Sequence, residues 1–168
     1  MKKLHLTIPI ILTVLIALPC MAWAAAPVTF TAHLTGGQEV PPVKTKATGE
    51  ATFNLSQDGQ SLHYKLSVAN LIGITMAHIH LGPPGKNGLV AVWLYPSHPY
   101  PELKLGKFSG ILAEGTITAK NLVGPLSGKP LQALIKDMES GRAYVNVHSR
   151  GHPEGEIRGE IGMPGKAE

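Results

Sequence analysis

ATFNLSQDGQSLHYKLSV, residues 51–68, decides the fold. In its first part Ala51, Phe53 and Leu55 alternate with Thr52 and Asn54. In its second part Leu62, Tyr64, Leu66 and Val68 alternate with His63, Lys65 and Ser67. A strand sends successive side chains to opposite faces, so a period of two predicts two half-buried strands. Asp58-Gly59 between them is a hairpin signal, which makes the pair antiparallel.

The same period extends outward in both directions. Val28, Phe30, Ala32 and Leu34 alternate upstream with Thr29, Thr31 and His33. Downstream, further strands are predicted over 75–81, 89–95, 144–148 and 156–161, with one or two more between 108 and 118, broken near Gly110 or Gly115. The run Leu89 to Tyr95 is almost wholly apolar, the pattern of a strand buried on both sides. One segment breaks the rhythm: PLQALIKDMES, 130–140, places Leu131, Leu134, Ile135 and Met138 at helical spacing between Pro130 and Gly141. These features predict an all-β domain, about eight antiparallel strands in a Greek-key sandwich or flattened barrel, with one short helix.

The N-terminus is of another kind. Met1-Lys2-Lys3 precedes an apolar run from Ile8 to Leu18 and the small-x-small pattern Ala22-Trp23-Ala24. This reads as a secretory signal peptide over 1–24, so the product is exported, periplasmic or secreted. A membrane anchor would need ~20 uninterrupted apolar residues, and Thr13 and Pro19 interrupt this run. Cys20 would suit lipid attachment, but Pro19 before it fits that poorly. The single domain is expected over 27–162, with a frayed tail over 163–168.

Cleavage would remove the chain's one cysteine, so the domain must stand on its core without disulfides. It would also remove two lysines, leaving a net charge of about +2. There is no basic run and no clustered aromatic surface, which argues against nucleic acid as a partner. Gly-x-Ser-x-Gly, the phosphate loop and the dinucleotide fingerprint are all missing. The sequence does not decide the oligomeric state.

The candidate chemistry lies in His78-Ile79-His80. Two histidines one residue apart on a strand share a face, which is how a strand presents two imidazoles to one metal ion. Turn formers follow at once in GPPGKNG, 82–88. A third candidate, His148, shares a face with Tyr144 and Asn146, opposite Ala143, Val145 and Val147. Across the next turn Glu156, Arg158 and Glu160 form a polar face within cross-strand reach. Three imidazoles suit copper, zinc, nickel or iron, and three protein ligands leave a position open. Asn146 and Glu156 are candidates for orienting the imidazoles, and Arg158 for attracting a small anion. His33, His98 and His152 could join; His63 reads as a solvent-exposed strand residue. Glu39, in GGQEVPP, lacks a carboxylate partner and is expected to brace its loop.

FTAHLTGGQEVPPVKTKATGEATFNL (30–55), AHIHLGPPGKNGLV (77–90) and GRAYVNVHSRGHPEGEIRGEI (141–161) together resemble the CHRD domain, first described in chordin. LHYKLSVANL (62–71) and GTITAKNLVGPLSG (115–128) extend the likeness over nearly the whole domain. That resemblance implies an extracellular module and little chemistry. A fainter one is to copper/zinc superoxide dismutase, in HIH before a Gly-rich loop, VNVH before a turn, and GEIRGEIG. It implies a superoxide-dismutase-like sandwich, His78, His80 and His148 as copper ligands, Arg158 as guide for superoxide, and dismutation as the activity. No cysteine pair, zinc loop or bridging histidine matches, so a mononuclear site is the most that is implied. A non-enzymatic binding module, or periplasmic metal storage and delivery, are the alternatives.

Overall fold

The structure, a computed structural model, describes residues 27–165. The expected signal peptide and the last three tail residues lie outside the described residues. Seven strands and one α-helix are present among the described residues: β1 (Thr29–Thr35), β2 (Thr48–Leu55), β3 (Leu62–Leu81), β4 (Leu89–Tyr95), β5 (Lys104–Ile117), α1 (Leu131–Glu139), β6 (Ala143–Ser149) and β7 (Ile157–Glu160).

Every strand pair is antiparallel. β2 pairs with β1 and with the first half of β3, about the Asp58-Gly59 turn. The second half of β3 pairs with β6, β6 with β7, and β7 returns to β1 at Thr35↔Arg158. A Thr31↔Gly162 bridge completes the ring, so five strands close a barrel. β4 and β5 flank it, on the second and first halves of β3 respectively. The expected all-β architecture is thus met, and closure leaves few open edges.

The strand count is lower than expected for a physical reason. The runs 62–68 and 75–81 are one continuous strand, bent where Asn70 and Gly73 adopt left-handed backbone, φ 61° and 66°. Likewise β5 is unbroken through Gly110 and Gly115, its irregularities absorbed as register shifts against β3. β4 corrects another expectation, because Leu89 is 68% exposed and only part of the strand is buried on both faces.

The core fills the barrel with the inward residues the alternation marked, among them Phe30, Leu34, Phe53, Leu62, Leu66 and Ile79, all at 0% exposure. The helix begins after Pro130, its N-cap, and stops before Gly141, whose φ of 68° suits a glycine. Leu131, Leu134, Ile135 and Met138 are its buried side chains, as the spacing predicted, together with Asp137, which pairs with Arg142.

Candidate metal centre

The second half of β3 lies between β4 and β6. Its register sets His78 opposite Trp93 on one side and Asn146 on the other, and His80 opposite Val90 and Tyr144. His148 stands opposite Met76, one same-face step along the strand from His78. Diagonal neighbours at this offset are within reach of long side chains. The three histidines therefore meet: one ligand nitrogen from each lies within 4.8 Å of the others. His78 Nδ1 is 3.2 Å from His148 Nε2.

Hydrogen bonds fix which nitrogens carry protons. A carbonyl only accepts, so His80 Nδ1 donates to Gly88 O at 3.0 Å, and His148 Nδ1 donates to Pro153 O at 2.9 Å. In neutral rings this leaves lone pairs on Nε2 of both. His148 Nε2 then accepts from His78 Nδ1, and the proton between them stands where a metal would bind. His80 Nε2 is buried and has no hydrogen-bond partner. An orphaned lone pair facing two other imidazoles is a donor set that fits a metal ion.

The surroundings keep the rings neutral. Burial pushes His78 down to about 3, helped by repulsion from His148 and His80. Burial also lowers His80 to about 4, against its bond to Gly88, with further repulsion from His148 and Arg158. His148 is lowered by burial, partly offset by Pro153. Neutral imidazoles can ligate without first losing a proton. Aromatic rings wall the trio. The Trp93 ring meets His78 edge-on at 4.2 Å between centroids, and Tyr144 stacks on His80 at 5.1 Å.

Two loops convert an outer sheet face into an interior. Every residue of β6 is buried, so its polar face is not solvated. The loop after β1 inserts Glu39, which accepts from Asn146 Nδ2 with both oxygens at 3.1 Å. Thr45 from the same loop donates to Glu156 at 2.8 Å. The loop after β3 brings Gly88, whose N–H donates to the Tyr144 hydroxyl at 2.9 Å. Asn87 ties the two loops together by donating to Val40 O.

The three residues expected to support the site have these partners. Asn146 and Glu156 are buried beside the site, but their hydrogen bonds go to Glu39 and Thr45; main-chain carbonyls orient the imidazoles instead. Arg158, expected to draw in an anion, has 0% exposure. Its guanidinium lies 3.4 Å from the Tyr144 ring centre, pairs with Glu160 at 2.8 Å, and donates to Lys86 O and Asn87. These contacts hold its guanidinium against the Tyr144 ring.

The remaining histidines among the described residues stay apart from the cluster. His33 is exposed and pairs with Glu50, His98 is exposed near Glu102, and His152 sits in the turn after β6. His63 is exposed, as expected, and bonds to Thr116. Glu39 does more than brace its own loop: it reaches across to β6, and burial pushes its carboxyl up to about 7 despite Asn146 and Arg158. The Gly88 and Pro153 carbonyls were not legible in the residue pattern, whereas alternation had set Tyr144 on the face of His148. Trp93 was missed, although it is the large aromatic in β4.

A closed antiparallel barrel with three converging imidazoles defines the class. The profile of the CHRD domain matches residues 30–161, and the chain belongs to the CHRD domain family. Chordin of Xenopus laevis is 28% identical over 143 residues, which cover 80% of this chain and 13% of chordin. The chain thus spans a small part of that relative's length.

Proposed function

We propose that this CHRD domain is an exported metal-binding module in which His78, His80 and His148 hold one transition-metal ion, copper first and zinc next. The observation that carries the reading is the buried, unpartnered His80 Nε2 converging with two further imidazoles. Copper would supply one-electron chemistry there; the chain's own residues bind it, set the tautomers and exclude water. Export rests on the signal-like N-terminus and on likeness to chordin. Among the described residues no helix is long and apolar enough to cross a membrane.

Superoxide dismutation, implied by the fainter resemblance, would ask Arg158 to guide the anion, and Arg158 is buried and paired with Glu160. Binding without turnover is the reading the geometry favours. The test is metal content of the protein purified without an affinity tag, followed by a superoxide-consumption assay. About one copper per chain is expected for one three-imidazole set, with no superoxide turnover above free copper. No metal taken up from copper or zinc would remove the reading.

A second role has its own support. Ile72 (61% exposed), Tyr100 (71%), Leu105 (74%) and Ile111 (49%) are large apolar side chains on β5, the loop before it and the β3 bend. They lie on different strand segments from the histidines and suit a partner-binding surface.

A further inference from the structure

We infer that this centre selects a soft monovalent cation over a divalent one, so that the copper it holds is Cu(I). The inference rests on the metal-site reading above and deepens it. Its ground is charge. The donor set is three neutral imidazoles, and no carboxylate joins them in the metal-ligating cluster among the described residues. His78 and His148 are 3% and 6% exposed and His80 is half-buried, so water has limited access to a cation there. The cost of burying an ion grows with the square of its charge, so a divalent ion pays about four times the penalty of a monovalent one.

The neighbouring carboxylates do not redress this. Glu39 is bonded to Asn146, Glu156 to Thr45, and Glu160 to Arg158. Behind His80, Arg158 lies on the Tyr144 ring that His80 also stacks on, and its pairing with Glu160 leaves no net negative charge on that side. Coordination number points the same way. Divalent zinc completes a shell of four, commonly with an anionic or water ligand. Here the cluster supplies three protein nitrogens, a shell that Cu(I) accepts and that zinc does not complete. Three neutral nitrogens in a largely buried pocket suit Cu(I), which accepts low coordination and carries half the charge.

The experiment measures both oxidation states on the metal-free full-length product. Cu(I) is titrated without oxygen against a chromophoric Cu(I) chelator, and Cu(II) in air against a Cu(II) chelator. Cu(I) should bind about a hundredfold or more tightly than Cu(II), which equals a copper potential raised about 120 mV above the free-ion couple at 59 mV per tenfold. Cu(II) bound as tightly or more, and lost in His80→Ala, would overturn the selectivity while leaving the metal site standing. Binding of neither state would overturn both. Trp93→Glu, which offers a carboxylate beside His78, should narrow the preference at least about tenfold; an unchanged preference would remove charge as its cause.

Discussion

The two halves of β3 carry the same kind of sequence and meet different fates. In the first half His63 alternates with buried leucines and tyrosine, and it ends exposed, bonded to Thr116. In the second half His78 and His80 alternate with Ala77 and Ile79; His78 is buried and His80 half-buried. What differs is the neighbour. The outward face of the first half, between β2 and β5, is left to solvent, whereas that of the second half is roofed by the loops after β1 and β3. Alternation tells which face a residue takes; the loops decide whether that face is wet.

The largest expected effect tests this contrast at its ends. His80→Ala should weaken copper binding by more than the ~100-fold that losing a mere supporting group costs. His63→Ala should leave affinity unchanged, and circular dichroism should show both variants folded. Equal affinities in the two would break the contrast. A second change attacks the roof. Gly155 has φ of 135°, and a Cβ there would meet Asn146 at 2.6 Å and Glu39 at 2.7 Å. Gly155→Ala should therefore cost about 3 kcal/mol in urea denaturation. Gly151→Ala, where the nearest atom is Ser149 Oγ at 3.8 Å, is the control expected near zero. Similar values for the two would mean the roof yields without cost.

Charge under the roof gives a third test. The Glu39 carboxyl is raised from 4.5 to about 7, so the folded state holds a proton that the unfolded chain has released. That contribution is complete below pH 4.5 and is lost as pH rises through 7. The depressed His78 and His80 act in the opposite sense: their contribution is present above 6.5 and lost as pH falls toward 4 and 3. Glu39→Gln leaves the histidine terms in place. Its stability relative to wild type should rise between pH 4 and pH 8 by about 2–3 kcal/mol. A difference flat with pH would show that Glu39 is ionised in the fold. The smallest effect belongs to the wet half: His63→Ala should change stability by less than about 0.5 kcal/mol, measured by thermal melting.

The sequence carried much of this and lost the rest at identifiable points. The period of two located the strands and put His78, His80 and His148 on faces that could meet; the barrel then brought them together. The bend at Asn70 and Gly73 escaped, because an asparagine before an apolar run reads as a turn, whereas the chain only changes direction and keeps pairing. The partners of Asn146, Glu156 and Arg158 escaped for another reason. Cross-strand register fixed their positions, but their partners, Glu39, Thr45, Lys86 and Asn87, come from loops whose approach no local pattern encodes. The carbonyls that orient the rings have no side chain to read.

Because β3 belongs to both sides of the barrel, the molecule has no half that can open alone. Releasing 62–69 from β2 would loosen the same covalent strand that holds 74–81 against β6. The domain should then behave as one cooperative unit, with amide exchange along the paired residues of β3 protected to a common free energy. The binding site would share the stability of the whole barrel, and an ion held there would tighten every strand that β3 touches.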